Sequence, residues 1–499
     1  MSRGGGARYF DTATVSRELK RRTVVGSVVS VTASVLRVGL QLGLSLILVR
    51  LLAPSDLGLI AMVTPLTTLL GMLNTVGLAT FTVQRPQISH EEVSTLFWIG
   101  LATSAATTVA FMASAPLLVW IYDDERVAQV TVVLASAIVL QGLANQHLAL
   151  LSRQMMFARI SMIELGSLAA GVVVAIVTAL GGAGYWAIVA STVATSGVRA
   201  VLAWLVVGWF PSWPRRERGL GSALVFGGYV SGFQLVNYFG RNADNMLLGW
   251  RAGSVELGFY AMSYRLLVVP LQAFNQPLGA VAIPALSRLV AQPDEYRAYF
   301  RTTLALISLV SFPLSVFTLV MSPDLVHVFF GDTWQAAAPI LSVLSIVMFL
   351  HSTYTTMGWV FLSTGRSDRM FAWACIAIPS TVVAFLLGLP WGAMGVAAAY
   401  AIANAVLFLP GIWFATIGTP LRVRDVLVPT WRPALVAAAI GGLLVGISHV
   451  GATLTSPLRL SIAIGGTIVV ASLMAALLYG WRDARRRIVE VLGMFRRTA

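Results

Sequence analysis

Runs of twenty or more residues with scarcely a charged side chain recur from residue 24 to residue 480. A helix crosses the hydrocarbon core of a bilayer with about 20 apolar residues. At that depth the backbone must satisfy its own polar groups, which leaves helices and closed barrels as spanning structures. The runs are continuous rather than alternating, and that selects helices. Fourteen lie at roughly 24–51, 57–83, 93–121, 128–150, 161–183, 185–209, 222–248, 258–286, 303–329, 336–362, 371–390, 394–418, 433–451 and 458–480. The breaks between them are too short for a soluble domain. Charged residues make up only 11% of the 499 positions, against about 25% in soluble domains. The expected fold class is therefore all-α, a polytopic membrane protein with about 14 transmembrane helices. The first run is too long for a signal-peptide core and no Ala-x-Ala site follows it, so it is expected to stay as a span. The single cysteine, Cys375, closes no internal disulfide and builds no thiolate metal site.

Basic residues orient the chain, because they concentrate in cytoplasmic segments. With the N-terminus inside and fourteen spans, 26 of the 34 Lys and Arg residues fall in inner segments. Five (Arg50, Arg126, Arg241, Arg251 and Arg459) fall outside, and Arg37, Arg199 and Arg265 lie within spans. Both termini are thus expected in the cytoplasm. The net charge of +14 then needs no nucleic acid, and the basic tail is read as an anchor on anionic lipid.

A short repeat divides the chain. Asp56-Leu57-Gly58-Leu59-Ile60-Ala61-Met62 recurs as Glu256-Leu257-Gly258-Phe259-Tyr260-Ala261-Met262, at an offset of 200 residues. The first copy opens span 2 and the second opens span 8. An offset of six spans, an even number, gives parallel repeats related by an axis along the membrane normal. The expected organisation is a cytoplasmic segment (1–23), an N-lobe of spans 1–6 (24–210) and a cytoplasmic linker (211–221). A pseudo-symmetric C-lobe of spans 7–12 (222–418), two extra C-terminal helices (433–480) and the tail (481–499) follow. Duplicated bundles of this kind suit transport by alternating access.

Polar residues within the spans share faces. Ser30, Ser34, Arg37, Gln41 and Ser45 form one helical stripe in span 1, and Ser231, Gln234, Tyr238, Arg241 and Asn245 another in span 7, with Asp244 beside it. Span 8 carries Arg265, Gln272 and Gln276 on one face, flanked by Asn275, and Asn74 adjoins a threonine row in span 2. Arg37 lies near the middle of its run, where an arginine costs about 2.5–3.5 kcal/mol on insertion scales. Glu164, near an inner end, and Asp244, near an outer end, are acids within runs, and Arg37 is expected to have no nearby intramembrane carboxylate to neutralise it. The expectation is a water-filled cationic cavity lined by spans 1, 2, 7 and 8. Guanidinium forks suit phosphate or pyrophosphate; amides and hydroxyls suit sugars. The candidate anion-binding residues are Arg37, Arg241 and Arg265, and the candidate sugar-side lining is Gln41, Asn74, Gln234, Asp244, Gln272 and Asn275. Arg50 and Arg199 are additional candidates. The pairs Gly39/Gly43 and Gly228/Gly232 are expected at close helix contacts.

Enzymatic signatures are missing. The chain has no phosphate-binding GxxxxGK[ST] loop, no GxSxG and no HExxH, and its five histidines are scattered. Asp123-Asp124-Glu125 is read as a solvated loop rather than a catalytic cluster. No metal site, cofactor or catalytic residue is assigned.

These residues resemble a known family. Leu51-Leu52-Ala53-Pro54-Ser55-Asp56-Leu57-Gly58, followed by span 2 and Gln84-Arg85-Pro86, looks like the start of Wzx-type polysaccharide flippases. Asn242-Ala243-Asp244-Asn245-Met246-Leu247-Leu248-Gly249, the second copy of the repeat, and Pro284-Ala285-Leu286-Ser287-Arg288-Leu289 resemble the second half of the same group. The likeness runs from about residue 20 to 480 and is to the oligosaccharide-flippase branch of the multidrug/oligosaccharidyl-lipid/polysaccharide exporter superfamily. It implies two six-helix lobes, a central cationic cavity and transfer of a polyprenyl-pyrophosphate-linked oligosaccharide from inner to outer leaflet. The family's cavity cations fall on Arg37, Arg241 and Arg265. The expected protein is a carrier in the bacterial plasma membrane, its partners the lipid-linked substrate, membrane lipids, and the polymerase and glycosyltransferases of the pathway. The competing readings are a multidrug exporter of related architecture, which should carry cavity acids, and a membrane polymerase or glycosyltransferase, which needs a large outer catalytic loop.

Overall fold

The computed structural model of the protein describes residues 19–85, 88–214 and 220–479. The first 18 residues, residues 215–219 of the expected linker and the basic tail lie outside the described residues. The described chain is helical: α1 (Leu19–Leu51), α2 (Pro54–Gln84), α3 (His90–Ala113), α4 (Ala115–Tyr122), α5 (Arg126–Arg153), α6 (Phe157–Leu180), α7 (Trp186–Val207), α8 (Leu220–Leu289), α9 (Pro293–Phe329), α10 (Ala337–Ser363), α11 (Ser367–Gly388), α12 (Gly392–Thr416), the short α13 (Val423–Leu427), α14 (Trp431–Val450) and α15 (Ser456–Tyr479). Each of the fourteen expected runs falls on helical backbone. Among the described residues, ten stretches are long and apolar enough to cross a membrane. Helix α8 is two helices meeting at Gly253, whose φ of 82° lies in the left-handed region that favours glycine. The chain divides there into two compact units, one running to Ser254 and the other from Val255.

Packing within each unit follows one scheme. In the first, α3 packs on α5, α5 on α7, and α6 on α7. In the second, α9 packs on α10, α10 on α12, and α11 on α12. These are the same ordinal helices of the two sequence halves, so the duplication read from a seven-residue match is carried by the packing. The extra helices α14 and α15 pack on each other and on α9. Arg459 of α15 is tied to buried Asp324 of α9, its Nε donating to Oδ2 at 2.9 Å.

The repeated acid has a local physical role. In the first unit the Asp56 carboxylate accepts from the Ala53 N–H at 3.2 Å. Both its oxygens lie 3.5 Å from where a Cβ on Gly184 would stand, at the turn leading into α7. In the second unit the Glu256 Oε2 accepts from the Ala393 N–H at 2.9 Å, beside Gly392 at the start of α12. Gly184 and Gly392 both have positive φ, 57° and 64°. Each acid therefore places negative charge at a helix N-terminus, where unpaired N–H groups and the helix dipole favour it. The sharp glycine turns let those two helices start where the acids can reach them.

At the opposite end of the first unit, Ser89 and Glu92 form a reciprocal cap on α3. The Ser89 Oγ accepts from the Glu92 N–H at 3.0 Å, and the Glu92 carboxylate accepts from the Ser89 N–H at 2.8 Å. Arg85 pairs with Glu92 at 2.8 Å. The indoles of Trp98, Trp204 and Trp209 gather around Phe97 and buried His147. His147 is thus a packing residue, its Nε2 3.1 Å from the Trp209 carbonyl oxygen.

Replacing Glu256 by Ala removes the acceptor of the Ala393 N–H and the charge at the α12 N-terminus. It is expected to lower stability by roughly 1–2 kcal/mol, read as a fall in the thermal midpoint of the detergent-solubilised protein. An unchanged midpoint would show that the contact contributes nothing.

Candidate functional site: an intramembrane ion triad

Helix α6 presents a ladder of buried residues at every fourth position, Ile163, Ser167, Gly171, Ala175 and Ala179. Four of the five are small, which lets neighbouring backbones approach. On α7, the Ser191 Oγ donates to the Gly171 carbonyl oxygen at 2.8 Å. A Cβ on Gly171 would stand 3.1 Å from the Ser191 carbonyl oxygen and overlap the Thr195 hydroxyl. Leu48 of α1 and Leu52, just past its end, join the same contact and cluster with Ala175, Ala179 and Ala187. The close glycines are therefore not those expected in span 1. A Cβ on Gly39 or Gly43 would meet nothing within 4 Å among the described residues, and Gly228/Gly232 lie outside the residues whose side chains are described.

This contact sets a register. From the Gly171–Ser191 meeting point, two turns back along α6 lead to Glu164, and two turns forward along antiparallel α7 lead to Arg199. At 1.5 Å per residue, Arg37 lies about 21 Å from the Leu51 end of α1, Glu164 about 24 Å from the Leu180 end of α6, and Arg199 about 20 Å from the Trp186 end of α7. Those three ends belong to the same side of the unit, so the three charges share one level of it.

The charges meet there. Arg37 Nη2 donates to Glu164 Oε2 in a short ion pair, and Arg199 Nη2 lies 3.6 Å from Glu164 Oε1. This corrects the expectation that Arg37 lacks an intramembrane carboxylate. Its partner stands 127 residues away along the chain. Among the described residues, the Glu164 carboxylate has no hydrogen-bond or ion-pair partner besides these two guanidiniums. The triad is not sealed: the side chains of Arg37, Glu164 and Arg199 retain 40%, 23% and 32% of their exposure. The Nε atoms of both arginines are buried and make no hydrogen bond. One carboxylate between two guanidiniums leaves a surplus positive charge and unused donors.

The remaining candidates are placed less closely. Gln41 is exposed one turn from Arg37 on the same face of α1, and its backbone carbonyl oxygen accepts from the Ser45 Oγ at 2.7 Å. Arg50 is exposed in the last turn of α1, where a cation complements the helix dipole. Asp244 is buried, and its Oδ1 accepts from the Asn245 N–H at 2.8 Å. In the second unit Arg265 is exposed and makes no ion pair among the described residues, and Asn275 is half-buried. The side chains of Asn74, Gln234, Arg241 and Gln272 lie outside the described residues. No group of His, Cys, Asp or Glu among the described residues could hold a metal ion.

The acidic loop is structural. Asp124 accepts from Arg126 Nε at 3.0 Å, Nη2 at 2.7 Å and the backbone N–H at 3.0 Å. The Arg126 guanidinium holds its carboxyl below the usual carboxylate range, the opposite of what a general acid needs. Glu164 is the site residue the sequence reading passed over. The available signal was an acid inside an apolar run, which by cost alone demands a cationic partner.

Long apolar helices and charges paired within candidate spans define a multi-pass membrane protein. The chain belongs to the polysaccharide biosynthesis protein family, whose model matches residues 47–339. The teichuronic acid biosynthesis protein TuaB of Bacillus subtilis is 28% identical over 80% of this chain and 84% of its own. The lipopolysaccharide biosynthesis protein WzxC of Escherichia coli is 25% identical over 76% of this chain and 77% of its own. The resemblance to Wzx-type proteins is borne out. The fold is shared with the lipid II flippase MurJ in an inward closed conformation, at a TM-score of 0.72 and 13% identity, covering 91% of this chain and 99% of MurJ.

Gly171→Val would push α6 off α7 and cost about 1–3 kcal/mol by overpacking. The expected outcome is a lowered thermal midpoint, whereas Gly39→Ala should leave the midpoint nearly unchanged. Equal effects of the two would refute the assignment of the close contact to α6 and α7.

Proposed function

We propose that the protein is a flippase that moves polyprenyl-pyrophosphate-linked oligosaccharide units from the inner to the outer leaflet of the bacterial plasma membrane, by alternating access, for surface polysaccharide synthesis. The observation that carries this reading is the surplus positive charge of the Arg37–Glu164–Arg199 triad. A cationic site at bilayer depth suits an anionic headgroup whose lipid tail stays in the hydrocarbon. Arg37 and Arg199 hold the pyrophosphate, with Arg241 and Arg265 as further cations and Arg50 near the end of α1. Gln41, Asn74, Gln234, Asp244, Gln272 and Asn275 meet the sugars. The basic residues at the ends opposite the repeated acids support a cytoplasmic placement of both termini.

The same sign of charge weighs against export of cationic drugs, which would call for surplus acid. Asp124, held ionised by Arg126, weighs against a glycosyltransferase acid in that loop.

Deleting the gene is expected to trap lipid-linked oligosaccharide in the inner leaflet, scored by leaflet-specific labelling of the glycan. Normal outer-leaflet delivery in the deletion strain would refute the proposal. Arg37→Ala removes charge-assisted hydrogen bonds worth roughly 1.5–3 kcal/mol each, so export should fall by about tenfold or more. Membrane insertion of that variant should stay intact by fractionation and immunoblot.

A further inference from the structure

Glu164 stands where an anionic ligand of Arg37 would bind. Its carboxylate accepts from Arg37 Nη2 and faces Arg199 at 3.6 Å, beyond hydrogen-bond reach. Nothing else among the described residues holds that carboxylate in place; the Ser167 Oγ at 3.0 Å goes to the Glu164 backbone carbonyl and leaves the side chain free to turn. The two buried Nε donors without partners mark capacity that one carboxylate does not fill.

We propose that Glu164 is an exchangeable internal counter-ion, which a pyrophosphate displaces from Arg37 and Arg199 and which returns to expel it. The inference rests on the reading of the protein as a carrier of a pyrophosphate-linked lipid and adds how that headgroup is taken up and let go. Two guanidiniums match the two negative charges of a pyrophosphate diester, and its several oxygens can reach donors that a single carboxylate leaves unused. The displaced carboxylate then stands beside an occupied site as an unpaired negative charge at bilayer depth. Its return to the guanidiniums favours release, as a carrier requires. The exchange also keeps both arginines compensated in the ligand-free protein, where an unpaired guanidinium would be costly. A ligand that must displace an internal competitor binds more weakly by the fraction of time the site is open.

The test uses the full-length protein in lipid nanodiscs, with inorganic pyrophosphate as the probe and calorimetry as the readout. If Glu164 fills the site about nine-tenths of the time, Glu164→Gln is expected to bind pyrophosphate about tenfold more tightly than wild type. Export should fall, because release slows. Adding Arg37→Gln to Glu164→Gln should take the affinity back to the wild-type level or below. Unchanged or weaker binding in Glu164→Gln, or no binding in either protein, would overturn the exchange and leave Glu164 a structural tie. Should Glu164→Gln accumulate poorly, Glu164→Asp decides the matter. Its carboxylate is one methylene too short to serve both arginines, so tighter binding than wild type is expected, and equal or weaker binding overturns the proposal. The two readings fail separately. Tightening without inner-leaflet accumulation in the deletion strain would leave the exchange standing and remove the flippase substrate; accumulation without tightening would do the reverse.

Discussion

A carboxylate shared by two guanidiniums holds three helices of the first unit to one level of the membrane. No member of the triad is cheap at that depth alone. An arginine costs about 2.5–3.5 kcal/mol on insertion scales, and an isolated acid carries a similar penalty. Meeting lowers both costs, but only if α1, α6 and α7 can approach closely enough for side chains to touch. The small residues at every fourth position of α6 allow that approach. Packing and electrostatics are thus one arrangement: the ladder brings Arg199 and Glu164 into register, and α1 adds Arg37.

The second organising element is the duplicated acid. Asp56 and Glu256 open equivalent helices of the two sequence halves, and each meets a glycine turn at the start of the sixth helix of its half. In hydrocarbon the ends of helices carry the backbone groups that lack partners, so they must lie near water or be capped. A carboxylate at that point supplies acceptors and complements the dipole. The repeated acid thus has the same local task in both halves.

The sign of charge at bilayer depth separates the functional readings. Surplus cation suits a phosphate-bearing amphiphile and disfavours a cationic drug. Among the described residues, Asp124 is committed to Arg126, Asp324 to Arg459, and Asp425 to Arg301.

The sequence by itself determined the helices, their approximate ends, the duplication and the stripe that carries Arg37. Each is a one-dimensional signal: an apolar run of bilayer length, a spacing of three and four, a match at one offset. The partner of Arg37 was illegible because Glu164 lies 127 residues away, and no periodicity within a helix records which faces of distant helices will meet. The close glycine was likewise read from a motif at Gly39/Gly43, whereas contact is decided by whichever face turns inward, and that face carries Gly171. Only the tertiary structure converts an arginine that looked unpaired into one member of a triad, because ion pairing inside a membrane is a property of helices brought together rather than of any single helix.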